Sequence, residues 1–274
     1  MAPPRRLVVN ADDFGRSPSI NAAVRQAHRE GILTTASLMV NEPSCAEAVA
    51  IAREEPRLGV GLHLTLLCGK SALPPERIPG LAEASGAFSR DPVRVGFRYF
   101  FARELRDQLE REMAAQFERF RATGLPLDHV NGHLHLHLHP VVFDILIQHA
   151  HEWGIRRLRL TREPFWLNAR LAPGHWLYRV SHYLIYRLLA ARARPALRRL
   201  GIRHTDRVFG LLQNARVDEA YVAALLEHLP AGDSELYSHP SLDEFRHELD
   251  ALCSAAVRAR IGTGGIRLVR YQDL

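Results

Sequence analysis

The sequence predicts an α/β fold built on a mainly parallel sheet, and two observations carry that prediction. Short β-rich runs alternate with stretches of helical periodicity through the first two-thirds of the 274 residues. The polar motifs that could do chemistry fall at or near the carboxyl ends of those runs, where parallel sheets place their sites.

The predicted strands cover residues 7–11, 33–40, 60–66, 127–137 and 155–160, with helices between them. Ser17-Pro18 reads as a helix N-cap followed by proline at the first helical position. Ser44-Cys45-Ala46-Glu47 has the spacing of a capping box. Leu105, Leu109, Met113, Phe117 and Phe120 recur at helical spacing, which predicts a long amphipathic helix over 103–122. Two stretches break the rhythm. Residues 69–100, rich in proline and glycine, read as a loop or lid, and residues 162–207, basic and aromatic, as a helical insertion within a single domain spanning 1–274. Pro195 is expected to end or kink the helix there, leaving 196–200 as a separate turn.

Composition narrows the function classes. Hydrophobic residues make up 47% and charged residues 24%, an ordinary globular balance. Cys45, Cys68 and Cys253 are scattered and odd in number, which argues against a disulfide framework or a thiolate zinc site and for a reducing cytoplasm. The apolar run at Leu7 is too short for a secretory core, and no stretch approaches a membrane span. The net charge of +6 invites a nucleic-acid reading, but Lys70 is the only lysine. Such skew reads as coding bias, and no nucleic-acid partner is expected.

Four motifs carry the chemistry. In Asn10-Ala11-Asp12-Asp13-Phe14-Gly15, adjacent carboxylates follow an apolar strand. If a turn makes them converge, one can bind a metal while the other acts as a base. In Gly59-Val60-Gly61-Leu62-His63, a histidine sits in an apolar run. In the third, His133, His135, His137 and His139 alternate with leucines, with His129 upstream. Read as a strand, three imidazoles share one face, and burying them requires hydrogen bonds or a metal. In the fourth, Glu235-Leu236-Tyr237-Ser238-His239-Pro240, the proline places His239 at a strand terminus. HExxH, GxSxG, GxGxxG and Walker A signatures are all missing. Two histidines and a carboxylate with an open position form a hydrolytic metal set, and a second carboxylate can take a proton from water.

Together these motifs resemble the YdjC-like carbohydrate deacetylase family, in motif order and over nearly the whole chain apart from 162–207. The resemblance implies a distorted TIM-like (β/α) barrel, a divalent metal (zinc or magnesium) and removal of acetyl groups from N-acetylglucosamine units. It implies Asp12 as general base, Asp13, His63 and His133 as metal ligands, and His239 as acid or transition-state stabiliser. Asn131, His135, His137, Arg159, Trp176 and Tyr183 complete the set as supports of the ligands or substrate contacts. Asn131 is a departure, because the family usually has an aspartate there. The string from His129 to Pro140 is similar to the hopanoid biosynthesis-associated branch, which implies a lipid-linked amino sugar.

A physical argument points the same way. Residues 170–207 hold nine arginines and one acid, Asp206, interleaved with aromatic and aliphatic side chains. Such a segment either lies on an anionic membrane surface, which implies peripheral contact at the inner membrane face, or flanks the barrel with an arginine-rich solvated face. The alternatives are a deacetylase of soluble chitooligosaccharides, a metal-dependent phosphoesterase, which would need more carboxylates, and a metal-binding or membrane-surface module without catalysis. A homodimer is left open.

Overall fold

The computed structural model describes residues 4–274. Strand β1 (Arg5–Phe14) is central and is buried from Leu7 onward. It pairs in parallel with β2 (Thr35–Leu38) and β6 (Gly232–Ser238), and its first residues pair with β7 (Ile266–Leu268). Strands β3 (Gly59–Leu64) and β4 (Val130–Gly132) extend the sheet on one side and β5 (Arg207–Phe209) on the other. Parallel bridges Val130↔Leu158 and Arg157↔Arg203, with the Val208 N–H donating to the Arg162 carbonyl, carry hydrogen bonding from β4 across to β5. The expected segment 155–160 therefore takes its place in the ring through single bridges. The result is an α/β fold with a curled, distorted TIM-like barrel of parallel strands.

Both faces of these strands are covered, so β2, β3, β4 and most of β1 and β6 are buried along their length. Helices α1 (Pro18–Glu30), α2 (Cys45–Glu54), α4 (Arg106–Ala122) and α5 (Pro140–Gln148) pack around the first half of the barrel. Helices α8 (Glu219–Glu227), α9 (Arg246–Cys253) and α10 (Ala255–Thr263) pack around the second. Polar side chains at alternate positions point to the interior and bond to one another across strands. Asn10 Oδ1 accepts from Thr35 Oγ1 at 2.8 Å, its amide donates to Ser37 Oγ at 3.0 Å, and Asn131 Nδ2 donates to the same hydroxyl at 2.8 Å. This satisfied polar layer fixes the register on which the site depends.

The start of α1 matches expectation: Ser17 Oγ accepts the Ile20 N–H, and Pro18 opens the helix. The capping box at Ser44 is absent. The Ser44 side chain makes no cap bond, and the reciprocal bond is lost because the Glu47 carboxylate accepts from the Asn21 amide at 2.8 Å while the Ser44 N–H donates to the Gly15 carbonyl. The predicted helix 103–122 opens with a single 3₁₀ turn, Arg103–Leu105, before α4. On α4, buried Gln116 both accepts from and donates to the Thr65 backbone, pinning the chain just past His63.

Three further expectations are corrected. Residues 69–100 are not all loop: antiparallel bridges Lys70↔Ala87 and Ala82↔Phe88 order the stretch, and α3 (Pro92–Phe101) closes it. Within 162–207, α6 (Phe165–Leu171) precedes α7 (Trp176–Arg199), which runs unbroken through Pro195. Pro195 and Ala191, whose carbonyl loses its donor, both lie on the exposed side, where water can replace the missing bond, while Ala193 and Leu197 anchor the buried side. The histidine alternation is not a strand. After β4, residues His133–Leu138 form a tight 3₁₀ turn with Leu134 and His135 in the left-handed region. A run with period two specifies a strand only where a neighbour continues the ladder, and β4 ends at Gly132.

Gly61 lets β3 lie against β4. A Cβ there would meet the His129 carbonyl oxygen and ring at 2.5 Å. Gly61→Ala should cost about 1–3 kcal/mol of stability, as overpacking does. Urea unfolding checks this, and a neutral result would mean that the strands separate easily.

Candidate active site

The two carboxylates of the first motif diverge in role because the backbone turns between them. Strand β1 is irregular between Ala11 and Phe14, and Asp13 sits at φ 64°. This left-handed residue sends Asp13 toward β3 and β4 while Asp12 stays in the barrel interior. Non-glycine residues in that region are strained, and such strain collects at functional sites.

Asp13 Oδ1 lies 3.3 Å from His63 Nε2 and 3.0 Å from His133 Nδ1. The three ligand atoms are within 4.8 Å of one another and all three residues are buried. Arg16 Nη1 donates to Asp13 Oδ2 at 2.6 Å, which leaves Oδ1 to the histidines. His63 Nδ1 pairs with Asn131 Oδ1 at 2.7 Å. Because that oxygen can only accept, Nδ1 carries a proton and Nε2 is turned toward Asp13; burial lowers the His63 pKa, but the charge of Asp12 and the contact with Asp13 outweigh it and raise it. This donor set, one carboxylate oxygen and two imidazole nitrogens with one ring oriented from behind, fits a divalent cation.

Asp12 is held from every side. Arg159 binds it bidentately, Nη1 to Oδ2 at 2.6 Å and Nη2 to Oδ1 at 3.0 Å. Amide groups of Asn10 and Asn131 donate to Oδ1 at 2.8 and 3.0 Å. Burial pushes this carboxyl up, but the charge of Arg159, then that of His63, outweighs burial and holds it well below the usual range. Arg159 itself is fully buried and also bonds Glu235 Oε1 at 2.7 Å, while Tyr271 donates to the other oxygen of Glu235. Asn131 thus joins His63 to Asp12. An aspartate in its place would keep the bond to His63 and lose the two amide donations.

The remaining expected residues divide. His239 lines a cleft of about 660 Å³ together with Asp13, Arg16, Lys70 and Arg90. Its ring lies edge-on to Tyr237 at 5.3 Å, and its N–H donates to Glu248. His135 packs between the rings of Tyr186 and Tyr237 at 5.3 and 5.2 Å. Burial lowers its pKa well below the ordinary histidine value, so it is neutral. His137 is fully buried and donates from Nε2 to the Arg159 carbonyl at 2.9 Å; burial lowers it to about 3. It braces the strand that carries Arg159. Tyr183 and Trp176 stand outside the Asp13 cleft. Tyr183 lines a separate groove between α7 and residues 160–164, and Trp176 is exposed. Sequence reasoning passed over Arg16, Ser37 and Glu235 as site residues. Arg16 had a signal, being the first cation after the carboxylate pair. Glu235 had none, since its role arises only when β6 meets the Arg159 segment.

Against this geometry the comparisons are specific. The family model for YdjC-like proteins matches residues 6–262. The chain belongs to the YdjC-like family. A Geobacillus stearothermophilus relative named carbohydrate deacetylase is 33% identical over 98% of both chains. A Brevibacillus brevis protein of the same name is 40% identical over 55% of this chain, and the match spans 57% of that relative's length. A Salmonella schwarzengrund chitooligosaccharide deacetylase is 35% identical over 62% of this chain and 64% of its own. Among solved structures, an Enterococcus faecalis protein provisionally named for cellobiose-phosphate cleavage superposes with a TM-score of 0.73 at 22% identity, covering 98% of each chain. At that identity the likeness establishes the fold that this YdjC-like chain shares.

Arg159→Met strands two buried carboxylates and should cost about 3–5 kcal/mol at pH 7. The sign follows from Asp12. Its depressed pKa makes the pairing stabilising above the unfolded value of about 3.9, and that stabilisation is lost as pH falls through the folded value. In the variant the unpaired carboxyls protonate at higher pH, so the gap to wild type should narrow on acidification. Urea unfolding across the acid range measures it. A constant gap would assign the loss to packing instead.

Proposed function

We propose that this protein is a divalent-metal-dependent carbohydrate N-deacetylase that hydrolyses the acetamide of an N-acetylglucosamine unit to acetate and a free amine. One observation carries the reading: the buried ligand set of Asp13, His63 and His133 borders a second carboxylate, Asp12, that is held apart from it by Arg159 and Asn131. A binding or storage site has no use for a separately oriented carboxylate. The names of the Geobacillus and Salmonella relatives support the same chemistry.

Bound at Asp13, His63 and His133, the cation would polarise the acetyl carbonyl and acidify water. The chain's own groups do the rest. Asp12, kept ionised, accepts a proton from the attacking water, and Arg159 keeps its carboxylate aimed. His239, lining the same cleft as Asp13, donates a proton to the departing nitrogen. Arg16, Lys70, Arg90 and Glu42 give the cleft the mixed polar lining that sugar hydroxyls require. His135 and Asn131 act by positioning, and Trp176 and Tyr183 would meet the parts of a substrate that lie beyond the sugar.

For those distal parts we favour a lipid, a hopanoid carrying the amino sugar. The similarity of the His129–Pro140 string to the hopanoid-associated branch supports it, as do the apolar and aromatic side chains of α7. A soluble chitooligosaccharide is the second reading, favoured by the Salmonella relative's name.

Mass spectrometry of N-acetylglucosaminyl lipids and chitooligosaccharides before and after incubation tests the activity. Release of acetate that stops on chelation and returns with zinc or magnesium is expected; turnover indifferent to chelators would remove the metal from the reading. Asp12→Asn should keep bound metal and lose roughly 10²–10⁴-fold in kcat. His239→Ala should slow the amide more than an activated ester, whose leaving group needs less protonation. Equal losses would make His239 a binding group.

A further inference from the structure

Two helices of this molecule are inverted, with their apolar stripes facing outward. In α7, the face opposite buried Ala190, Ala193 and Leu197 presents Leu177, Leu184 and Leu188, and Leu177 is 87% exposed. In α3, Val95 and Tyr99 turn inward while Phe97 and Phe101 face out, Phe101 at 70% exposure. Both helices pack against α5, and both grip the histidine turn. His139 Nε2 of that turn meets the Gly96 carbonyl of α3 at 3.0 Å, and His135 meets Tyr186 of α7. Between them Leu134, left-handed and half exposed, protrudes from the turn right beside the ligand His133. Exposed apolar stripes on two helices that share α5 and the histidine turn as neighbours mark an interaction site.

The charges around it select the occupant. Helix α3 carries Arg94 and Arg98 and no acid; α7 carries six arginines and no acid. Among the described residues, Arg94, Arg98, Arg187 and Arg194 have no carboxylate partner within ion-pair distance. Two copies of this face brought together would oppose arginine to arginine, since neither helix carries an acid and Asp144 of the neighbouring α5 is already paired with Arg192. An anionic bilayer satisfies both features, acyl chains taking the leucines and phenylalanines and head groups taking the guanidinium groups. No helix among the described residues is long and apolar enough to cross a membrane, so the contact lies on the surface.

We infer that α3, Leu134 and α7 together form one docking face for an anionic phospholipid bilayer, which sets the histidine turn of the active site against the lipid surface. The inference deepens the lipid-linked reading of the substrate and rests on it for its purpose, but it stands on the surface itself. The proposed face adds α3 to the residues 162–207 for which the sequence raised membrane contact.

The test is flotation of the purified full chain with vesicles of phosphatidylcholine alone or with added phosphatidylglycerol, across a salt series and without any sugar substrate. Binding to the anionic vesicles that weakens with salt is expected. Phe97→Glu with Phe101→Glu, and separately Leu184→Glu with Leu188→Glu, should each lower vesicle binding by roughly tenfold or more. Arg94→Glu with Arg98→Glu should weaken it on the order of fivefold per charge. These positions are exposed, so circular dichroism and hydrolysis of a water-soluble chitooligosaccharide should match wild type. Wild type that ignores anionic vesicles, or paired variants that bind as well as wild type, would overturn the inference. So would a wild-type dimer, seen by light scattering, that the variants dissociate without any vesicle binding, since a second copy would then cover the face. If vesicle binding behaves as expected while no acetate is released from any substrate, the docking face stands and the deacetylase reading falls.

Discussion

Everything at the end of this barrel that gathers Asp12, Asp13 and the histidines depends on keeping one buried cation, the Arg159 guanidinium, between two carboxylates from different strands. Asp12 comes from β1 and Glu235 from β6, and Arg159 reaches both while stacking over Tyr237 at 4.9 Å. An ionised carboxylate in a barrel interior is costly, and it persists here because its partner is equally buried and the remaining lone pairs are taken by Asn10 and Asn131. The same contact joins β1 to the segment 155–160, which lacks a continuous ladder of its own. Electrostatic pairing therefore does structural work at the point where backbone pairing is weakest.

Two parallel systems grow from that constraint. In one, Asp12, Asn131, Ser37 and Asn10 share hydrogen bonds across β1, β2 and β4 and hold the interior register. In the other, Asp13, His63 and His133 gather on the cleft side, fixed from behind by Arg16 and by Asn131. Asn131 belongs to both, and an amide is the side chain that can serve both, accepting from an imidazole N–H while donating to a carboxylate and a hydroxyl. The departure from the usual family residue is thus accommodated by the bonding of this site.

The left-handed residues mark where local preference was overridden. Asp13 at φ 64° and the Leu134–His135 pair at φ 48° and 58° are strained positions, and all belong to or border the Asp13–His63–His133 cluster. The first sends two adjacent carboxylates into different surroundings, Asp12 to Arg159 and Asp13 to His63 and His133. The second folds an alternating His-Leu run into a turn, so that His133 meets Asp13, His137 braces Arg159, and Leu134 is left facing solvent.

The sequence by itself determined the parallel α/β architecture, the strands at β1, β2 and β3, the long helix α4, and the identity of Asp12, Asp13, His63, His133 and His239 as groups of interest. Those features rest on local periodicity, caps and unusual polar residues in apolar runs, all readable one window at a time. Residue pattern left open which carboxylate faces the histidines, and the family resemblance alone named Asp13; the tertiary structure supplies the physical reason, a single left-handed dihedral angle at Asp13. It alone joined Glu235 to Arg159 and set Glu47 against Asn21 instead of Ser44, since both pairings bring together residues distant in the chain. It also decided which way α3 and α7 present their apolar stripes. Amphipathic spacing gives a helix two faces, but which one meets the core is fixed by what the neighbouring helix α5 leaves uncovered.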